Sequence, residues 1–194
     1  MNINILELVE GMDLVRKKIY TKQNILNDSQ DLLVKTGFSG ITARNVAEHM
    51  GISTQPIYLE FKDMADLKIT LLKTTHELME KKYFYENPTA DSVINFGLNY
   101  IKFAKEDSGL YLSLYERPHS FGQELQDLSF DLFERVTKDD EKINSLALTD
   151  RKALHMGLWI VATGIASLTA AGMMDFSENK IISSLQKVEQ SNLR

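Results

Sequence analysis

Apolar residues recur along this chain at three- and four-residue intervals, the spacing of a helix that buries one face. Ile19, Ile25, Leu26, Leu32 and Leu33 share one such stripe, which Gly37 ends as a C-terminal cap. Thr42 has the position of an N-cap for a short helix, Ala43 to Met50, closed by Gly51. Ser53 is expected to cap the next helix, Thr54 to Glu60. Asp63 opens a long helix with Leu67, Leu71, Leu72, Leu78 and Met79 inward, running to Asn87-Pro88, where the proline forces a stop. Thr89 and Asp91 start a helix through Ile94, Leu98, Ile101 and Phe103, and the short stretch LYLSLYE follows it as far as Pro118. Phe121 to about Lys138 carries Leu125, Leu128, Leu132 and Val136 on one side. After a loop at 139–149, Asp150 to Met174 and Ser177 to about Asn192 complete the chain. The pattern predicts an all-α protein of about nine helices with no strand.

Residues 51–61, GISTQPIYLEF, carry the chemistry. Two helices can cross steeply where a small residue, Ala47, lies in the first and a glycine, Gly51, takes the turn with φ > 0. Val46, Ile52 and Ile57 lock the pair, and Phe61 anchors the end of the second helix. Pro56 falls in its first turn, where an N–H has no intrahelical partner, so the proline costs little. Thr54 and Gln55 lead this helix outward, and Gln can pair bidentately with adenine in a major groove. Tyr58 can reach a phosphate with its hydroxyl.

The stretch Ile25 to Leu67 resembles, without gaps, the N-terminal DNA-binding domain of the TetR family of bacterial transcriptional regulators. The match includes Ile25-Leu26, Leu33, Gly37-Phe38, Thr42, Val46-Ala47, Gly51-Ile52-Ser53, Ile57-Tyr58 and Phe61. Two departures occur: Leu59 and Glu60 follow the tyrosine where basic or His residues are common, and Met64 stands where a lysine often opens the fourth helix. Lys62, two positions earlier, is the candidate for that lysine's phosphate contact.

The resemblance implies a division into an N-terminal arm with a helix-turn-helix domain, 1–62, and a helical ligand-binding and dimerisation domain, 63–194. It implies a cytoplasmic homodimer, paired through the last two helices, that binds a palindromic double-stranded DNA operator, usually as a repressor, and releases it when a small effector enters the second domain. Expected DNA contacts are Thr42, Arg44, Ser53, Thr54, Gln55, Pro56, Tyr58 and Lys62, with the run Arg16-Lys17-Lys18 and Lys22 as further phosphate contacts. Tyr100, Phe103, Tyr111, Tyr115 and Trp159 are the expected lining of a pocket for a lipophilic or aromatic ligand. No cofactor is required on this reading. His76 and His155 define an alternative, a haem- or metal-responsive regulator; a third reading is a helical binding module that has lost DNA binding.

Charge and composition adjust this picture modestly. The net charge is −5, yet residues 14–62 hold seven Lys or Arg against four acids, a basic first third on an acidic body. There is no cysteine, which excludes disulfides and thiolate metal sites. No nucleophile elbow, phosphate loop, zinc-protease motif or GxGxxG is present, so an enzyme is not expected. Met156 to Met174 has no charged residue and reaches the length of a membrane span, but its abundance of Gly, Ala, Ser and Thr favours close helix packing instead. The opening MNINILELVEG lacks the basic leader of a secretory signal.

Overall fold

The computed structural model describes residues 20–192; the expectations for Ile19, for the N-terminal arm and for Arg16-Lys17-Lys18 lie outside them. The described residues form ten α-helices and no strand. Three short helices come first: α1 (Lys22–Thr36), α2 (Ala43–Met50) and α3 (Gln55–Glu60). Then come the long α4 (Met64–Tyr83), α5 (Ser92–Glu106), the single turn α6 (Ser108–Tyr111) leading into a π-helical turn at Leu112–Glu116, and α7 (Gly122–Val136). The short α8 (Glu141–Asn144) and the pair α9 (Leu148–Ala170) and α10 (Glu178–Asn192) complete the chain.

Each start has a local cause. Thr21 caps α1 in a reciprocal arrangement with Asn24, Thr42 accepts from the N–H of Asn45, and Asp91 accepts from those of Val93 and Ile94. Asp63 caps α4 by accepting from the N–H of Asp66 at 2.8 Å, while Asp66 accepts from the N–H of Lys62 at 3.0 Å. Gly51 ends α2 in the left-handed conformation, φ 67° and ψ 33°.

Some boundaries differ from the sequence reading. Ser53 is not a hydrogen-bonding cap: α3 begins at Gln55 after Thr54, and no side chain bonds its first turn. The usual partner of a Ser53 cap is the N–H three residues on, and that residue is Pro56, which has none. Helix α4 stops at Tyr83 rather than Asn87, and Leu78 is 46% exposed instead of inward. The segment 139–149 contains α8, and the ninth helix starts at Leu148 and stops at Ala170, short of Met174.

The core runs continuously through both halves. Ile25, Leu33, Ile41, Val46, Ile57 and Phe61 pack beneath the first three helices, and Leu67 and Leu71 continue that core along α4. Each such side chain contributes about 1.5–3 kcal/mol when removed from water. Further along, α5 is the central element, packed on α4, α7, α9 and α10. Gly97 lets α5 approach α10 so closely that an added Cβ would meet the Leu185 methyls at 2.7 Å, and Gly157 does the same for α9 against Val188 of α10 at 2.8 Å.

Helix α9 is, by length and composition, apolar enough to cross a membrane, though only a third of its most apolar window is buried. The chain around it packs as a helical bundle, with α5 on one side and α10 on another.

Candidate nucleic-acid interface and effector core

The left-handed turn at Gly51 sets α3 across α2, with Val46 and Ile57 fully buried between them and Ile52 half-buried at the elbow. The outer side of this unit is polar. Thr42, Arg44, Ser53, Thr54, Gln55, Tyr58 and Lys62 are all exposed, and Pro56 is half-buried, so the eight expected contacts lie on one connected N-terminal unit. The Thr42 oxygen accepts from Asn45, which leaves its hydroxyl hydrogen available to a phosphate.

Two further residues flank this face: Leu59, not expected as a contact, and Lys22, expected as a phosphate contact. Leu59 is 69% exposed, more than Tyr58 at 52%, and offers an apolar surface of the kind that meets a thymine methyl. Lys22 holds its ammonium 5.0 Å from the Phe61 ring centroid, which places a cation from α1 beside the end of α3. The stripe reading identified Phe61 as an anchor, but a contact between α1 and α3 carries no local signal.

Tyr100, Phe103, Tyr111, Tyr115 and Trp159 form one cluster of rings. Tyr115 stacks on Tyr111 at 5.6 Å and meets Tyr100, Phe103 and Trp159 edge-on at 5.3, 6.3 and 5.9 Å. The Trp159 N–H donates to the Tyr100 hydroxyl at 3.2 Å, and that hydroxyl lies 3.0 Å from the Thr163 hydroxyl. Tyr111 donates to Glu116 at 3.3 Å, and Ser167 donates to the same carboxylate at 2.6 Å. Burial raises the Tyr111 hydroxyl above the usual phenol value and holds those of Tyr100 and Tyr115 well above it, so all three are neutral at neutral pH.

The cluster is joined to the first three helices through the π turn that carries Tyr115. From that turn Ser113 donates to the Leu33 carbonyl at 2.9 Å, and Arg117 just beyond it donates to the Val34 carbonyl at 3.3 Å. Both acceptors lie in the last turn of α1, where Leu33 also accepts from the N–H of the capping Gly37 at 2.8 Å. Phe38 packs against His119 and Phe121 at 5.2 and 5.3 Å. A second tie crosses from α4 to α7: Arg135 forks onto Glu80 at 3.0 and 2.6 Å, with Tyr85 donating to Glu80 at 2.7 Å.

His76 and His155 are both buried, but different groups surround them. His155 lies among Phe96, Phe130, Phe133 and Trp159, with its Nε2 2.9 Å from the Ser129 hydroxyl. His76 has an Nε2 without a partner, beside the Glu80–Arg135 pair. Burial lowers the pKa of each to about 4, so both are neutral at pH 7. Among the described residues no group of three or more His, Cys, Asp or Glu converges as a metal site would require.

No protein-family model matches the sequence, and no curated protein matches it. Solved structures do. One described as a TetR family transcriptional regulator from Vibrio parahaemolyticus superposes with a TM-score of 0.60 at 15% identity, covering 86% of this chain and 95% of that one. The flavonoid-responsive regulator FrrA gives 0.59 at 16% identity, over 89% and 94% of the two chains. SmeT, the repressor of the Stenotrophomonas maltophilia multidrug efflux pump SmeDEF, gives 0.57 at 15% identity, over 91% and 90%. The chain has the fold of TetR-family regulators over most of its length rather than in the first three helices alone.

Proposed function

We propose that this protein is a ligand-responsive transcriptional regulator, most often a repressor in this fold, acting in the cytoplasm as a homodimer on a palindromic operator, and not an enzyme. The observation that carries the reading is the α2–Gly51–α3 unit. It buries Val46 and Ile57 while leaving Thr54, Gln55, Tyr58 and Leu59 exposed at the leading end and outer side of α3. Gln55 reads a base edge, Leu59 meets a thymine methyl, and Arg44, Tyr58, Lys62 and Lys22 hold phosphates.

Dimerisation through α9 and α10 is supported by the surface that α9 leaves uncovered. Ile160 is 65% exposed, and at Gly164 an added Cβ would meet nothing. Two copies joined there form a four-helix bundle and set the two α3 helices at the ~34 Å repeat of successive major grooves.

The effector acts through the aromatic core. A ligand that re-sorts Tyr100, Tyr111, Tyr115 and Trp159 moves the π turn, and Ser113 and Arg117 pass the shift to α1. Movement of α7 passes by Arg135 and Glu80 to α4, which leads directly to α3. By linkage, operator DNA weakens effector binding by the same factor. An aromatic effector accords with the flavonoid response in the name of FrrA.

A gel shift with the DNA flanking the protein's own gene, run at rising salt, tests the DNA reading; specific binding with a steep salt slope is expected. Light scattering tests the assembly: a dimer is expected, and Ile160→Glu should yield monomers that lose operator affinity. Binding by a monomeric wild type to a non-palindromic site, or no shift at low salt, would overturn the proposal.

A further inference from the structure

Between α7 and the first turns of α9 lies a groove of about 320 Å³ whose walls include Asp127, Phe130, Asp131, Leu148, Lys152 and His155. That volume is at the small end of ligand sites. It lies beside the aromatic cluster: His155 on its wall packs 5.8 Å from Trp159.

Asp127 and Asp131 stand one helical turn apart on α7; Asp127 accepts from the Gln123 amide at 2.9 Å, Asp131 lies in the field of Arg135, and neither forms an ion pair among the described residues. The groove's cation, Lys152, pairs with neither; its ammonium sits 5.5 Å from the centroid of Phe130. The exposed Leu148 provides an apolar lip. An ammonium over an aromatic face, with two carboxylates in the same groove, is the recognition chemistry of an organic cation, and Lys152 occupies that place from within the chain.

We propose that this groove is the effector entrance and selects a small organic monocation with an aromatic or alkyl body. The cation displaces the Lys152 ammonium into water, takes its place on Phe130 and faces Asp127 and Asp131. Its body rests on Leu148 and reaches the His155–Trp159 contact. Naming the occupant an effector rests on the regulator reading; the binding site itself does not.

Trp159 is the sole tryptophan, so its emission reports on the groove. The probes are benzyltrimethylammonium, its neutral carbon isostere neopentylbenzene, and benzoate, each titrated by fluorescence and by calorimetry. Saturable binding of the cation alone is expected. Asp127→Asn with Asp131→Asn should weaken it about tenfold, and Phe130→Leu about fivefold. Lys152→Met has an opposite expected sign: removing the internal competitor tightens the cation severalfold.

Three results overturn the inference: benzoate binding that Lys152→Met abolishes, equal binding of the neutral isostere, or no saturable heat or emission change with any probe. Gel shifts run in parallel separate the two readings. Operator binding without cation binding removes this inference alone. Cation binding without operator binding removes the regulator and leaves the site.

Discussion

Buried neutral histidines make this protein acid-sensitive well above the carboxylate range. His76 and His155 each have a folded-state pKa lowered from 6.5 to about 4, through burial for both; for His76, Glu80 and Asp131 oppose that shift and Arg135 reinforces it. The sign follows from proton binding: between those values the unfolded chain takes up protons that the folded chain refuses, so stability is lost as pH falls from above 6.5 towards 4. From pH 7.5 to 5.5 the loss is about 1.3 kcal/mol per histidine, or about 2.6 kcal/mol for both, approaching about 3.4 kcal/mol each below pH 4. Other shifted groups contribute little in that window. Burial raises the pKa of Glu80, but its bonds from Arg135 and Tyr85 outweigh this, and Lys82 lowers that of Asp107; both carboxylates are ionised in both states above pH 5.5. Glu189, raised by burial and by Asp91, acts with the opposite sign and offsets part of the loss. Thermal unfolding followed by circular dichroism should show Tm falling by roughly 5–10 °C between pH 7.5 and 5.5. His76→Gln and His155→Gln should each remove about half of that pH slope, whatever they do to absolute stability. A slope unchanged in the double variant, or the His76 or His155 imidazole titrating near 6.5 by NMR in the folded protein, would refute the reasoning.

Two further expectations concern the DNA face. Gln55→Ala should lower preference for the operator over random DNA by about 1–3 kcal/mol, measured by competition gel shift, while Lys62→Ala should weaken all DNA alike and reduce the salt slope by about one. Gly51→Ala forces an L side chain into φ 67° where the added Cβ meets nothing, so its cost is backbone strain alone, about 1–2 kcal/mol by urea unfolding; Gly51→Asn should cost less, because asparagine tolerates that region.

The helix-turn-helix was legible because its constraints are local. A threonine cap, a small residue at 47, a glycine at 51 and a proline in the first turn each satisfy a rule that spans only a few residues. Ser53 misled for the same local reason: the proline that marks the helix start also removes the N–H that the serine would cap. Leu78 misled because a long helix can expose an apolar position where no neighbour covers it, and periodicity does not count neighbours. The five aromatic residues expected to line a pocket pack on one another as a ring cluster, since the rings of α5, the 111–115 segment and α9 share one interior. The groove at Phe130 was invisible, because a cavity is where side chains fail to fill space, and Lys152 over Phe130 joins residues from two helices. The π turn was equally hidden; LYLSLYE predicts a helix of some kind and says nothing of its pitch.

That turn makes the two halves hard to separate. With Ser113 adding a second donor to the Leu33 carbonyl that Gly37 already caps, Arg117 bonding the Val34 carbonyl, and Phe38 wedged against His119 and Phe121, a fragment cut near residue 62 would lose two tethers and bare a ring. A chimera that grafts the α1–α3 unit onto another helical body must therefore transplant residues 112–121 with it, or rebuild their contacts on the new host.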